Sequence, residues 1–565
     1  MARLPDTNVA ELLSSAERFS RSHPAVAGAL GQLSTDASLE RVREGLFYLG
    51  ATCLDRVREL EGDGQRALAE VVAPDLLRGY PAATIVELLS TSAGQQAPAG
   101  AELETAGDSP CRFALVGDLD LGPWRTARAR IERGAPSGDT LTFDLVATGD
   151  RPLCESMRDG ARLFVDGPRE AALLLVAHVL GHAERVELST DGASSCLLGG
   201  PHPYGTKPED VLAPEPDGPH TGITFLREYF LLPEKFCFFH LGGFAKALRG
   251  SDAKRATVTL RFDAPLPALA SVAPDGIRAH CAPAVNLFAA TAEPWVFEPG
   301  RPSAPVRVAG LSRRQAAAYA VLNVSAQPLD GAGQGVSLSS ARRFGAGRVL
   351  PGFPYTFSTK IVAAAAREEP DVVVSLTSPR GSPPVLRPHV VSADILATNG
   401  ERASTIRPGE LTRPGSGMPP GVRARNIVAG SPYVRAPVGP ELALQVAARS
   451  AIPGGDPLLS LKTVLFSLVP RRGVDPAAVR AHEARVAGIR RLDVTTVADP
   501  THGRRGYQAM LAIDETPFRG LGDVALLLRL LHATLEAQVS VSHFYRCKAT
   551  CLKGAIPMIW PPEAP

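Results

Sequence analysis

The side chains with chemical potential in this sequence stand in incomplete groups. His178 and His182 are four residues apart, so a helix would put both imidazoles on one face, with Glu184 close behind. That spacing can hold zinc, but Val179 stands where a general-base glutamate would be needed. Cys547 and Cys551, with His543 upstream, make half of a zinc site, and so do Cys237 and His240. Neither has a second pair nearby, so both read as buried thiols. Gly331, Gly333 and Gly335 lack the third glycine of a dinucleotide loop at the required offset and read as a turn. There is no GxxxxGK[ST] and no GxSxG. The acids Glu368–Glu369 and Asp514–Glu515 are neighbours in sequence and do not face each other across a substrate. The residues predict no catalytic group, no metal and no cofactor.

The elements around these groups follow from periodicity. Residues 8–90 read as helical. One stripe is Val9, Leu12, Leu13, Ala16 and Phe19, and Pro24 should break its helix. A second stripe runs Leu39, Val42, Leu46, Leu49, Cys53, Val57 and Leu60 opposite a charged face, and a third short helix covers about 65–73. The Ser-, Gly- and Pro-rich stretch 91–110 reads as a linker. From 111 to 300 the pattern is strand-like, with alternation at 141–146 and 256–262 and one apolar helix at 168–182. Residues 301–430 read as short strands and turns, clearest at 371–376, with a loop at 401–425. The last part, 431–565, mixes a buried helix at 457–468, a strand at 507–513 and a helix from Asp523 to about Phe544. Asp523 is its expected N-cap, and Gly520 and Gly522 are its expected flexible approach. Leu526 and Leu530 widen its apolar stripe, which predicts burial on two sides, by its own domain and by a neighbouring subunit.

The fold class is therefore multidomain α+β. A helical segment (1–90) precedes two β-rich domains (111–300 and 301–430) and a mixed α/β domain (431–565). The 565 residues fit three or four domains at ~150 residues each. A net charge of +2 provides no basic field for nucleic acid. The N-terminal residues show no signal-peptide core, and the apolar run from Ala171 to Leu180 is shorter than the ~20 residues a membrane span needs. The protein reads as cytoplasmic, without direct membrane insertion, and its eight cysteines read as thiols.

Ten segments, in order, are similar to the TssF (VasA, ImpG) family of type VI secretion systems. They include Phe19 to Ala27 with His23 and Pro24, Ser38 to Leu49, Val72 to Arg78, and Tyr80-Pro-Ala-Ala. The most specific is Phe225 to Phe239, Phe-Leu-Arg-Glu-Tyr-Phe-Leu-Leu-Pro-Glu-Lys-Phe-Cys-Phe-Phe, which carries Phe225, Tyr229, Phe230, Pro233, Glu234, Lys235 and Phe236. Ala282 to Phe288 carries Asn286, Leu287 and Phe288, and Glu293 and Pro294 follow. The rest are Ala397 to Asn399, Ile489 to Val494, Leu511 to Phe518 with Asp514, Glu515 and Phe518, and Trp560-Pro-Pro. Gly79-Tyr80 and Ser542-His543 depart from the family pattern. The aromatic cluster of the central motif reads first as a domain core.

The resemblance implies a structural wedge subunit of the cytoplasmic baseplate and no catalysis. Its implied partners are TssG, TssK, TssE, a second TssF copy and the VgrG spike hub. Residues 1–90 would be a partner-binding arm. One rival is the wedge protein of another contractile device or prophage tail. An enzyme rival is a zinc hydrolase using His178 and His182.

Overall fold

The structure, a computed structural model, describes residues 21–22, 49–50, 53, 64–134, 138–190, 196–214, 222–298, 302–329, 335–341, 355–362, 371–378, 388–437, 439–450, 456–471, 473–498, 505–537, 543–552 and 558–560. The chain forms two compact units, one of Met1–Leu77 with Pro437–Ala447 and one of Arg78–Ala436 with Ala448–Pro565. In the first, a helix covers 64–72, where a short helix was expected, and a 3-10 turn follows at Pro74–Leu77. The stripes at 9–19 and 39–60 fall almost wholly outside the described residues, as do His23, Pro24 and the glycines from Gly331 to Gly333.

Along the second unit run β1 (Ala83–Leu89), β2 (Arg112–Leu115), β3 (Thr140–Ala147), β4 (Gly160–Val165) and α1 (Arg169–His182). Next come β5 (Ala183–Thr190), α2 (Ile223–Leu231), β6 (Phe238–Gly242), β7 (Arg255–Phe262), β8 (Cys281–Val285) and β9 (Phe288–Thr291). The strands β10 (Ala317–Pro328), β11 (Asp371–Thr377) and β12 (His389–Thr398) follow. The chain then forms α3 (Pro457–Leu468), α4 (Pro476–Gly488), β13 (Ile489–Ala498), β14 (Arg505–Ile513), α5 (Gly520–Glu536) and β15 (His543–Cys551). The unit is α+β, as expected.

Among the described residues three hydrophobic cores organise it. The largest joins the sheet of β3, β5 and β7, the helices α1, α2 and α5, and the C-terminal sheet of β13–β15 into one continuous interior. In that sheet β14 and β15 run parallel, with α5 as their crossover, which explains the apolar width of α5. A second core lies under β9, β10, β11 and β12. The third lies under a six-stranded sheet whose strands come from 83–89, 102–105, 112–115, 281–285, 411–414 and 423–426.

The strand pairings overturn three local readings. Residues 83–89 are not helical: β1 is an inner strand, paired on both sides and buried from Ala83 to Leu88. A short fully apolar run has no period to separate strand from helix. Residues 91–110 are not a linker, since Gln95–Ala97 and Glu102–Thr105 are strands, and Gly100 and Gly107 take positive φ at the turns. Residues 401–425 are not a loop throughout, since Leu411–Pro414 and Arg423–Asn426 complete the sheet. Nor are the strands of 301–430 all short: β10 has 12 residues.

The C-terminal helix also differs in detail. It begins at Gly520 after Arg519, so Asp523 lies inside its first turn rather than at its cap. It ends at Glu536, and His543 and Phe544 belong to β15 instead. Gly522 is a contact point, not a flexible approach: a Cβ there would lie 2.3 Å from the backbone nitrogen of Leu174 in α1. Leu526 and Leu530 are both buried within the chain, so the wide stripe of α5 is covered by its own unit and not by a neighbouring subunit. Serine at either position acts on the fold itself, not on a subunit contact.

Candidate functional site

The central motif folds into three short pieces. Phe225 to Leu231 lie in α2, Pro233 opens a 3-10 turn at Pro233–Phe236, and Phe238 begins β6. Proline suits that first turn because its missing N–H would be unbonded there. Tyr229, Phe236, Phe238 and Phe239 are fully enclosed, and Phe225 and Phe230 nearly so.

Two charges are buried with them. Glu228 and Lys235, on α2 and the 3-10 turn, form an ion pair with both side chains completely enclosed. The glutamate also accepts from the Tyr80 hydroxyl at 2.8 Å and from the Leu212 backbone N–H at 2.8 Å. The lysine ammonium lies 5.3 Å from the ring centres of both Phe225 and Phe236. A buried pair is tolerated when its remaining bonding capacity is filled in this way. Burial and the adjacent Glu228 hold the Tyr80 phenol well above its usual pKa, so it stays a donor.

A second buried network ties the motif to the C-terminal helix. Tyr229 donates to Asp523 at 2.8 Å, and Asp523 also accepts from the Arg519 N–H at 3.0 Å and pairs with Arg485 of α4 at 3.2 Å. Arg529 of α5 lies over the Phe236 ring and donates to its carbonyl at 3.3 Å. At the rim, Glu234 accepts from Arg169 of α1 at 2.7 Å. The motif therefore bolts α1, α2, α4 and α5 together.

Asn286 and Asn399, 113 residues apart, meet directly. The Asn286 amide donates to Asn399 Oδ1 at 2.8 Å and to the Arg112 carbonyl at 2.7 Å. Its oxygen accepts from the Thr398 hydroxyl at 2.7 Å and from the Asn399 N–H at 2.8 Å. Asn399 in turn accepts from the Arg112 N–H at 2.9 Å and donates to the Gln315 carbonyl at 2.8 Å. This joint connects β2 and β8 of the six-stranded sheet to β9 and β12 of the next. Leu287 and Phe288 are buried beside it, and Arg112 lies over the Phe288 ring. Asn399→Ala would strand two buried groups, at about 1–3 kcal/mol each. The expected result is a melting temperature several degrees lower; an unchanged calorimetric melt would show the joint to be dispensable.

The remaining motif residues stand apart. Glu293 and Pro294 are exposed beyond β9. Asp514 pairs with Arg490 at 2.8 Å, and that guanidinium pulls its carboxyl down to about 2. Glu515 accepts from the Leu552 N–H at 3.1 Å, and Phe518 is buried.

The histidine and cysteine groups do not converge. His178 and His182 lie on one face of α1, with ring centres 4.8 Å apart. His178 is buried against Phe262, and burial pulls its pKa down to about 4, while His182 faces Asp263 at 3.0 Å. Cys547 and Cys551 are buried on strand β15, where four residues span ~13 Å, too far to share a metal. Among the described residues no three His, Cys, Asp or Glu side chains are placed to hold a metal ion. Among them also, no helix is long and apolar enough to cross a membrane.

The sequence reading missed Tyr80, Arg485, Asp523 and Arg529 as members of these networks, and did not single out Glu228. A signal existed for Glu228 and Lys235, which are charges set seven residues apart inside an aromatic run. Nothing local marks Tyr80 or Arg485.

A family model described as "Type VI secretion system, TssF" matches residues 6–564. The chain belongs to the TssF family. A curated relative is the type VI secretion system component TssF1 of Pseudomonas aeruginosa strain PAO1. It is 26% identical over 307 residues, covering 48% of this chain and 49% of that protein. The chain thus aligns with about half the length of this TssF relative. Among solved structures, a chain of the TssK-TssF-TssG baseplate subcomplex, determined by cryo-electron microscopy, shares the fold. Its TM-score is 0.78 at 19% identity, covering 93% of this chain and 99% of that chain. A chain of the baseplate complex from the type VI secretion system has a TM-score of 0.60 at 19% identity, covering 98% of this chain and 97% of that one.

Proposed function

We propose that the chain is a structural wedge component of a type VI secretion baseplate on the cytoplasmic face of the inner membrane. The family match over residues 6–564 carries this reading. The proposed partners are TssG and TssK first, which share a solved subcomplex with a chain of this fold. TssE, the VgrG spike hub and a second copy of the chain complete the set. No reaction is assigned to it; the buried charges join elements of the fold.

The partner-binding arm expected at 1–90 is proposed for the first unit alone, Met1–Leu77 with Pro437–Ala447, since 83–89 is an inner strand of the six-stranded sheet. Exposed apolar side chains support the arm: Leu68 and Val71 on the helix 64–72 are open to solvent. Co-expression with TssG and TssK tests both claims. The full chain is expected to co-purify with TssG, and a chain lacking residues 1–60 to lose most of that yield. No co-purification of the full chain would overturn the wedge assignment; full co-purification of the shortened chain would overturn the arm.

A further inference from the structure

The sheet of β3, β5 and β7 turns one face to the largest core, where Leu141, Phe143, Val258 and Leu260 are fully buried. The strand Trp124–Glu132 lies beside β3 as an outer edge, and Cys196–Leu197 lies beside β5 at the other. Side chains alternate along each strand, so the registers place Arg125, Val146 and Arg255 side by side on the opposite face. Arg130, Arg261 and Arg185 stand further along that face. Arg128 joins them from a bulge between Ala127 and Arg130, where it takes a φ of 53°. A bulge blunts an edge strand against pairing, so the surface on offer is the face and not the edge.

The carboxylates of this face are already engaged. Glu132 pairs with Arg130 at 3.0 Å. Glu187 lies between Arg185 at 2.7 Å and Arg261 at 3.2 Å. Asp144 accepts from the Thr257 hydroxyl at 2.9 Å and meets Arg128 at 3.9 Å. Beside Arg255, Lys254 takes up Asp150 at 3.5 Å. Arg125 and Arg255 remain. Both are exposed, and among the described residues neither meets a carboxylate.

These two arginines flank Val146 at two strand spacings, ~10 Å. An extended chain carries its same-side side chains ~7 Å apart, within the reach of two flexible arginine stems. Each guanidinium can take a carboxylate through two parallel bonds. The face also offers aliphatic contact, since Val146 is partly exposed and Leu197, opposite Glu187 in register, is exposed. Its registers bring no aromatic ring onto it for a nucleotide base to stack on.

We propose that this sheet face docks an extended acidic segment of a partner protein, with carboxylates on Arg125 and Arg255 and a small side chain over Val146. This deepens the wedge reading and rests on it for the existence of a partner. The strands on which the arginines stand are hydrogen-bonded to one another, so their spacing is set before the partner arrives.

The test uses the full chain and two labelled peptides, Gly-Glu-Val-Glu-Thr-Glu-Gly and its Gln counterpart, followed by fluorescence anisotropy. The acidic peptide should bind at least about tenfold more tightly, and raising salt from about 50 to 500 mM should weaken it severalfold. Arg125→Glu with Arg255→Glu should lower the affinity about tenfold or more, while Arg413→Glu on a different sheet should not. Equal binding of the two peptides, or no loss in the double variant, would overturn the proposal. A second arm sediments the chain with vesicles of phosphatidylglycerol. Wild-type binding that the acidic peptide does not displace and that the double variant loses would make the face a lipid site and overturn the proposal as well. Peptide binding is read on the isolated chain and assembly by co-purification with TssG, so failure of one is distinct from failure of the other.

Discussion

Lys235→Ala should leave the chain largely insoluble or melting far below the wild type. The substitution removes the cation paired with Glu228, where both side chains are completely enclosed. Removing one partner of such a pair costs about 3–5 kcal/mol, a large part of the ~5–15 kcal/mol that stabilises a typical domain. Part of the loss is packing and cation–π contact, since the side chain is completely enclosed and its ammonium lies 5.3 Å from the ring centres of both Phe225 and Phe236. A double change separates the two causes. Glu228→Gln with Lys235→Met removes both charges, fills the lysine volume and keeps a carbonyl oxygen for Tyr80 and Leu212. It should recover most of the lost melting temperature, because an apolar replacement of a buried pair is often neutral. Thermal unfolding followed by circular dichroism reads both variants. A Lys235→Ala melt within two or so degrees of wild type would show that the pair contributes little.

Gly522→Val should be the most damaging change in the C-terminal helix. A Cβ at Gly522 would meet the Leu174 nitrogen at 2.3 Å, the Leu173 carbonyl carbon at 2.5 Å and the Leu174 Cα at 2.6 Å. All three are backbone atoms of α1, so no rotamer can relieve the clash and the two helices must part. Overpacking of this kind costs about 1–3 kcal/mol, and more when backbone must shift. Separating the helices would also disturb Asp523, one residue on, and its bonds to Tyr229 and Arg485. Gly520→Ala is the control. There φ is +78°, which costs an L-residue roughly 1 kcal/mol, but the nearest atoms belong to the mobile end of Glu170. The valine variant should therefore melt well below the alanine variant. The reverse order would mean that left-handed backbone strain, not the helix crossing, is what this turn needs.

Elements with a long, regular pattern were legible in the chain itself. The helix at 168–182, the helix at 457–468 and the strands at 141–146, 256–262 and 371–376 agree with α1, α3, β3, β7 and β11 to within a residue or two. Periodicity over eight or more residues, or alternation beside turn residues, reports local geometry directly. The central motif was legible as a buried aromatic core, because so many large rings in fifteen residues have nowhere else to go.

What the sequence determined by itself was the local geometry of these elements and the membership in a family. What the tertiary structure decided was pairing. Strands from 83–89, 102–105, 281–285 and 411–426 form one sheet because long-range hydrogen bonding, not local pattern, chooses partners. The same is true of side chains. Asp523 has the composition of a helix cap, but Tyr229, 294 residues earlier, and Arg485 supply partners that make it a buried joint. Tyr80 and Glu228, or Asn286 and Asn399, carry no mark of each other in sequence. A buried polar group must find a bond wherever the fold brings one, and that place is set by the packing of distant segments.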